Sequence, residues 1–247
     1  MIKEPHFYAV IIGSEILDRR REDKHFDYLT KALQKRGFNL FAAFVIKDDK
    51  ELIAHTYKMI KSDRSAMMFS FGGIGSTPDD LTRQISADVF RDGTLHRHHG
   101  FEKDIIERLG ERAYPHPITM SDLPENSELL FNPINNMSGY QLDDRYFFVP
   151  GFPEMAQPMV DEALMKYCPQ STQTFTKGFI AQAGEGRLTH LMVDVPKEIE
   201  LSSLPMMNNT KPAVEFSLSS KDEALVLKYF KIFTDFLDKE VIDYELL

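Results

Sequence analysis

A mostly apolar run that ends in a cluster of glycines constrains this chain more than any other feature of its sequence. Residues 66–71 form a run of strand length, and three glycines follow within four positions: Gly72, Gly73 and Gly75. Glycine lets a backbone approach a ligand closely and adopt conformations that other residues avoid. A plain turn from a strand into a helix needs one glycine at most, so the cluster predicts a loop that binds a ligand.

The residues after the glycines are typical of the start of a helix. Thr77 suits the cap position and Pro78 the first helical position. The free amides of such a start bind anions, and Ser76 and Thr77 lie beside them. Asp79 and Asp80 would then lie in the first turn, where they either complement the helix dipole or take part in metal binding or proton transfer.

The glycine cluster does not match two common phosphate-binding loops. No Lys-Ser or Lys-Thr pair follows the glycines, as a P-loop requires. The spacing also differs from the G-x-G-x-x-G pattern of dinucleotide-binding domains.

Charge and cysteine content exclude several classes of function for a chain of 247 residues. The net charge of −9 argues against non-specific binding to nucleic acid or to an acidic membrane. The single cysteine, Cys168, allows neither an internal disulfide nor a cysteine-based zinc site. The first residues lack the features of a signal peptide, and no apolar run approaches the roughly 20 residues that span a membrane. We therefore expect a cytoplasmic protein.

Strand-like and helix-like segments alternate through the first part of the chain. This order predicts a mostly parallel sheet with helices on both faces, which is a three-layer α/β/α domain. Ligands of such sheets bind at the carboxyl ends of the strands. The predicted strands cover residues 7–12, 39–46 and 65–71, and the predicted helices cover residues 25–36, 48–61 and 77–90.

Three features of the sequence fall at those strand ends. Gly13 and Glu15 follow the first predicted strand, Asp48 follows the second, and the glycine cluster follows the third. We expect the fold to bring them together at one edge of the sheet. Asp48 also has a structural explanation, because Asp48 and Glu51 are spaced like a helix-capping box.

Two clusters of basic residues each have two explanations. Arg19, Arg20 and Arg21 stand in a row, as in a solvated loop or in a contact to an anionic ligand. The His96–His99 segment carries three histidines that could bind a metal, but its position between two glycines is more typical of a solvated loop.

The composition changes at residues 168–172, where we place a domain boundary. The part of the chain after this boundary is predicted to form a small α+β domain. Aromatic residues of its last helix are expected to pack in the core. Before the boundary the predicted elements are strands at 129–134 and 146–149, a polar turn at 135–144, and a rigid turn at 150–155 that leads into a helix. After it they are strands at 174–181, 198–204 and 212–218, and helices at 187–193 and 221–239.

Four segments, in this order, resemble the molybdopterin-binding domain of molybdenum-cofactor biosynthesis proteins, and most closely its CinA-like (competence/damage-inducible) branch. They are Ile12–Leu17, Val45–Asp49, Gly72–Thr82 and Pro150–Met155. The resemblance covers residues 5 to about 168, and the tail resembles the small middle domain of CinA-like proteins. We expect domains at 1–168 and 169–247, without the amidohydrolase domain that often ends those proteins.

This resemblance implies a three-layer α/β/α fold that binds a pterin or a nucleotide phosphate. Two aspartates implicated in catalysis in the molybdopterin-inserting members match Asp48 and Asp80. Some CinA-like members are reported to cleave phosphoanhydrides such as ADP-ribose or FAD with a divalent metal. Relatives form dimers or trimers, which implies a homo-oligomer.

The chain departs from the family pattern mainly in its first loop. Ser14 stands where the family usually has aspartate, and Arg19 where it usually has glycine. Lys24 and His25 replace a usual Thr-Asn pair, and Ser76 replaces a usual proline.

Three functions remain open from the sequence. The first is a domain that holds molybdopterin, another pterin or a nucleotide diphosphate without turnover. The second is a pyrophosphatase in which Asp80, with Asp79 or Glu15, holds Mg²⁺, Mn²⁺ or Co²⁺ and Asp48 or the metal activates water. The third is a non-catalytic protein with a decayed site. The candidate ligand-binding residues are Gly13, Glu15, Gly72, Gly73, Gly75, Ser76, Thr77, Asp79, Pro150 and Gly151.

Overall fold

The computed structural model describes residues 2, 5–168, 174–208 and 211–247. The chain divides into two compact units between residues 170 and 171. The boundary placed at residues 168–172 falls almost entirely outside the described residues, so its exact position stays a prediction.

The first unit alternates strands and helices along most of its length. Two short 3₁₀ helices, Gly110–Ala113 and Pro117–Ser121, follow its fifth helix. In chain order its elements are β1 (His6–Ile12), α1 (Ser14–Leu17), α2 (His25–Gln34), β2 (Leu40–Ile46), α3 (Lys50–Ser62), β3 (Ala66–Phe71), α4 (Thr82–Phe90), β4 (Leu95–Arg97), α5 (His99–Leu109), β5 (Asp122–Pro124), β6 (Glu128–Leu130), β7 (Gly139–Leu142), β8 (Tyr146–Val149) and α6 (Pro153–Tyr167).

A mixed sheet in the order β2-β1-β3-β8-β7-β6 forms the centre of this unit. Strands β2, β1, β3 and β8 are parallel, and β7 runs antiparallel to both of its neighbours. Alternate residues of β1 face opposite sides, so Val10 packs with α3 and α4 while Ala9 packs with α2 and α6. The predicted three-layer α/β/α fold is therefore confirmed.

The strand order reverses at β1, because β2 pairs with one side of β1 and β3 with the other. In open α/β sheets this reversal opens a crevice at the carboxyl ends of the two strands. The crevice here lies where β1 runs into Gly13 and β3 runs into Gly72.

Two predictions for the later part of the first unit are wrong. The polar turn at residues 135–144 contains strand β7, whose four residues are all buried. Polar flanking residues concealed this short strand in the sequence. The histidine segment is not a solvated loop, because it forms β4 and then the cap of α5, where the His98 ring accepts a hydrogen bond from the Phe101 N–H.

The second unit is an antiparallel sheet with one long helix. Phe230 and Phe233 of that helix are buried, so its aromatic residues do contribute to the core. The final strand was not predicted. The sheet order is β10-β11-β9-β12, and the elements are β9 (Phe175–Ala181), α7 (Thr189–Met192), β10 (Glu200–Asn208), β11 (Lys211–Ser220), α8 (Glu223–Lys239) and β12 (Tyr244–Leu246).

Candidate ligand-binding site

The glycine loop, residues 72–76, crosses the end of β1 at close range. A Cβ added to Gly72 would lie 2.6 Å from the carbonyl oxygen of Ile12, and Gly72 has a φ of 98°. A side chain at this position would therefore collide with the backbone of β1 and strain its own. The glycine here is required by the fold, whatever the loop binds.

The helix after the glycine loop begins at Thr82, so the prediction of a helix start at Thr77 is wrong. Residues 77–80 instead form a closed turn. The N–H and the hydroxyl of Thr77 donate to Oδ2 of Asp80 at 2.8 Å and 2.6 Å, and the Asp80 N–H donates to the Thr77 carbonyl at 3.0 Å. Such bonds between side chain and backbone compete with helix formation. Asp79 and Asp80 therefore do not occupy the first turn of α4.

Thr82 and Arg83, the first residues of α4, hold the glycine loop in place. The Thr82 hydroxyl donates to the Gly72 carbonyl and its N–H to the Gly73 carbonyl, both at 2.9 Å. The Arg83 side chain is buried, and its Nη2 donates to the Gly75 carbonyl at 2.7 Å. Its Nη1 donates to the carbonyls of Thr119 and Asp122. The loop is thus tied to a distant segment through one guanidinium group.

Sequence reasoning missed Arg83, although it stands directly after the predicted motif. The apolar residues of its helix are Leu81, Ile85 and Val89, which lie on one face. An arginine outside that face is predicted to be exposed to solvent. Only the three carbonyl groups that surround the guanidinium make its burial favourable.

Four consecutive amides of the glycine loop have no acceptor among the residues that the structure describes. The flanking N–H groups of Gly72 and Thr77 are both hydrogen-bonded, to the Val149 carbonyl and to Asp80. Within the described part of the chain, no hydrogen bond is made by the N–H groups between them, which are those of Gly73, Ile74, Gly75 and Ser76. A run of free amides is suited to binding an anion.

The same four residues line a pocket of about 490 Å³. Its other walls are largely apolar. They come from the connection between β6 and β7, from the turn after β8, and from the α5 region: Asn135, Met137, Ser138, Pro150, Gly151, Phe152, Met155, Phe101 and Met120. Thr77 and Asp80 complete the lining. The glycine loop therefore forms one wall of the pocket, and mostly apolar residues form the others.

Asp48 stands outside that lining and has a different role from the predicted cap. Its Oδ2 accepts hydrogen bonds from the N–H and the hydroxyl of Ser14 at 2.8 Å and 2.9 Å. The cap of α3 is Asp49, which accepts from the Leu52 N–H at 2.8 Å. The capping-box explanation of Asp48 is therefore wrong, and Asp48 instead joins the end of β2 to the start of α1.

Gly13, Glu15, Gly72 and Asp79 also stand outside the pocket lining, although the first three belong to the same edge of the sheet. Gly13 donates its N–H to the Ile46 carbonyl at 3.0 Å. The carboxylate of Glu15 lies against Gly13, since a Cβ at Gly13 would be 2.9 Å from it. The strand ends therefore converge as expected, but the pocket opens on the glycine-loop side.

A buried histidine supports the turn that follows β8. The His25 ring stacks on Phe71 with centroids 4.4 Å apart, and its Nε2 lies 3.3 Å from the Gly151 carbonyl. Burial lowers the pKa of His25, although the Gly151 contact opposes this. The neutral ring therefore donates to Gly151, which is itself part of the pocket wall.

Arg19 occupies a backbone conformation that favours glycine. Its φ is 59°. Its N–H donates to the Ile16 carbonyl and the Arg20 N–H donates to the Glu15 carbonyl, at 3.1 Å and 2.9 Å. This is the Schellman arrangement that ends α1, in which glycine is the usual residue at this position.

Comparisons with known proteins agree with this fold. A family model described as a probable molybdopterin binding domain matches residues 8–170. A CinA-like protein of Flavobacterium psychrophilum is 25% identical over 217 residues, which are 79% of this chain and 50% of that protein. A CinA-like protein of Sulfurihydrogenibium is 27% identical over 182 residues, covering 69% of this chain and 44% of that protein. This chain thus spans half or less of those relatives.

A solved structure shows the same fold. The crystal structure of the protein CinA from Thermoplasma acidophilum superposes with a TM-score of 0.59 at 22% identity, covering 66% of this chain and 97% of that one. Among the described residues, no helix is long and apolar enough to cross a membrane.

Proposed function

Because the chain belongs to the probable molybdopterin-binding domain family, we propose that its glycine-loop pocket binds a small ligand in which a phosphate is joined to a planar heterocycle, a pterin or a nucleotide. One observation carries this proposal: the four residues that line this side of the pocket have N–H groups with no acceptor among the described residues. Backbone amides of a glycine-rich loop are a common way to hold a phosphate.

The two walls of the pocket suit the two halves of such a ligand. The buried guanidinium of Arg83 lies behind the loop, at 2.7 Å from the Gly75 carbonyl, and adds positive charge on the phosphate side. Phe101, Met120 and Met155 offer apolar and polarizable surface to a flat ring on the other side.

The hydrogen bonds that the carboxylates of Asp48 and Asp80 already make within the protein favour ligand binding without turnover. Oδ2 of Asp48 accepts two hydrogen bonds from Ser14, and Oδ2 of Asp80 accepts two from Thr77. Within the described ranges, no group of three or more His, Cys, Asp or Glu side chains could hold a metal ion.

Ligand binding is tested by calorimetric titration with ADP and with 7,8-dihydroneopterin triphosphate, which both join phosphate to a planar heterocycle. A Cβ at Gly75 would lie 2.5 Å from Oδ2 of Asp80, so Gly75→Ala displaces the turn beside the amides. We expect wild type to bind one of these probes saturably and Gly75→Ala to lose most of that affinity. Gly186→Ala is the control, because a Cβ there meets nothing within 4 Å.

Two results would refute the proposed function. The first is wild type that binds neither probe. The second is Gly75→Ala that binds as wild type does while melting at the same temperature.

A metal-dependent pyrophosphatase is the second candidate, because Asp80 lines the pocket. Both described hydrogen bonds of its carboxylate use Oδ2, which leaves Oδ1 for a metal. AMP release from FAD, ADP-ribose and NAD, each with Mg²⁺, Mn²⁺ or Co²⁺, tests it. Release by wild type that is lost in Asp80→Asn and kept in Asp79→Asn would establish this activity. If no AMP is released from any of these substrates with any of these metals, pyrophosphatase activity on them is excluded.

A further inference from the structure

The three consecutive arginines that follow α1 have three different surroundings. Arg19 is exposed, and Arg20 is exposed with its guanidinium 3.6 Å from Asp18. Arg21 is half-buried, and its guanidinium carbon lies 5.1 Å from the centre of the Phe152 ring. Of the two residues that these side chains contact, Phe152 lines the pocket and Asp18 does not.

Two contacts place Arg21 next to Phe152 of the pocket lining, although Arg21 does not itself line the pocket. Its N–H donates to the Glu15 carbonyl at 3.1 Å, which sets its backbone at the end of α1. Its side chain rests against Phe152, a pocket residue that is 55% exposed. A cation on an aromatic face gains about 0.5–1 kcal/mol at an exposed site, enough to favour one position of a flexible arginine.

The charge of Arg21 is not neutralised by an ion pair within the described part of the chain. The nearby carboxylate of Asp23 accepts hydrogen bonds from the N–H groups of His25 and Phe26. Glu154 lies close enough to influence His25 but makes no ion pair with Arg21. His25 itself is neutral, so Arg21 supplies the positive charge at this end of the pocket.

We propose that Arg21 binds a second anionic group of the ligand, so that the pocket selects a diphosphate over a monophosphate. This inference rests on the proposed function. The loop amides of residues 73–76 hold one phosphate, and the planar guanidinium on Phe152 donates paired hydrogen bonds to the next. A pocket of about 490 Å³ has room for a nucleotide of this size.

The test compares ADP with AMP, which share the same heterocycle and sugar. Dissociation constants are measured by titration calorimetry for wild type, Arg21→Ala and Arg20→Ala. We expect Arg21→Ala to weaken ADP binding about tenfold or more and AMP binding less than about twofold, because a hydrogen bond to a charged group is lost only with the diphosphate. Arg20→Ala removes the same charge from the neighbouring residue and should leave both affinities within about twofold.

Arg21→Lys and Phe152→Leu separate the planar fork from the charge. The lysine keeps the charge without paired donors, and the leucine removes the ring that positions Arg21, so both should reduce the preference for ADP partially. Thermal unfolding of each variant confirms that it folds.

The outcomes distinguish this inference from the proposed function. Wild type that binds neither ADP nor AMP overturns this inference, and the proposed function falls with it only if the pterin probe also fails to bind. Wild type that binds ADP and AMP equally well, or an Arg21→Ala variant that weakens both to the same extent or neither, overturns the role of Arg21 alone. An equal loss in Arg20→Ala would show that net charge, and not the position of Arg21, sets the affinity.

Discussion

Replacing Arg19 by glycine should stabilise the first unit. Arg19 has a φ of 59° at the end of α1, where its own N–H and that of Arg20 close the helix. A left-handed conformation costs a residue with a Cβ about 1–2 kcal/mol. Glycine removes that cost but gives the unfolded chain more freedom, which offsets about 0.4–1 kcal/mol. The midpoints of these two ranges leave a gain of about 0.8 kcal/mol in the free energy of unfolding for Arg19→Gly.

Differential scanning calorimetry measures this effect on the transition of the first unit. A gain of that size raises Tm by about 1–4 °C in a domain of this length. Arg20→Gly is the matched control, because Arg20 has no positive φ. Glycine there adds freedom to the unfolded chain and removes an exposed contact with Asp18, so it should lower Tm. A lower Tm for Arg19→Gly, or equal shifts for the two variants, would refute the reasoning about strain.

Three further predictions concern buried polar groups around the loop. Burial lowers the pKa of His25. As the pH falls below about 6.5, His25 is protonated in the unfolded chain but not in the folded protein, so the free energy of unfolding decreases until the folded pKa is reached. The Tm of His25→Asn should therefore depend less on pH between pH 8 and pH 5 than the Tm of wild type. Arg83→Met leaves the carbonyls that Arg83 bonds without their donor, and urea unfolding should show a loss of about 1–3 kcal/mol with weaker ADP binding. Thr82→Val removes the donor to Gly72 and should also cost about 1–3 kcal/mol, whereas Thr82→Ser keeps the hydroxyl and most of the stability; equal losses in the two Thr82 variants would contradict a role for the hydroxyl.

The order of strands and helices in the first unit could be predicted because each element carries its own pattern. The apolar runs before Gly13 and Gly72 are strands buried on both faces, and the parallel pairing follows from the alternation with helices. The fold then places their carboxyl ends side by side, which made the site edge predictable from local signals alone.

The details of the site depend on contacts that local patterns do not encode. Thr77 and Asp80 have the composition of a helix start, but their mutual hydrogen bonds form a separate turn. The burial of Arg83 depends on carbonyls 36 and 39 positions further along the chain. The number and spacing of its glycines predicted the glycine loop, and the family resemblance agrees with it, whereas the homo-oligomer and any bound metal stay predictions.

The unpaired amides of the glycine loop have a consequence for hydrogen exchange. An amide without an acceptor exchanges its hydrogen with solvent readily, whereas the flanking N–H groups of Gly72, Thr77 and Thr82 are hydrogen-bonded and exchange slowly. The stretch from Gly73 to Ser76 should therefore exchange fast between slow neighbours in the free protein. A ligand that fills the loop would slow exchange in that stretch first. Mass-spectrometric exchange on peptides covering it could thus screen mixtures of small molecules for the natural ligand before its chemical identity is known.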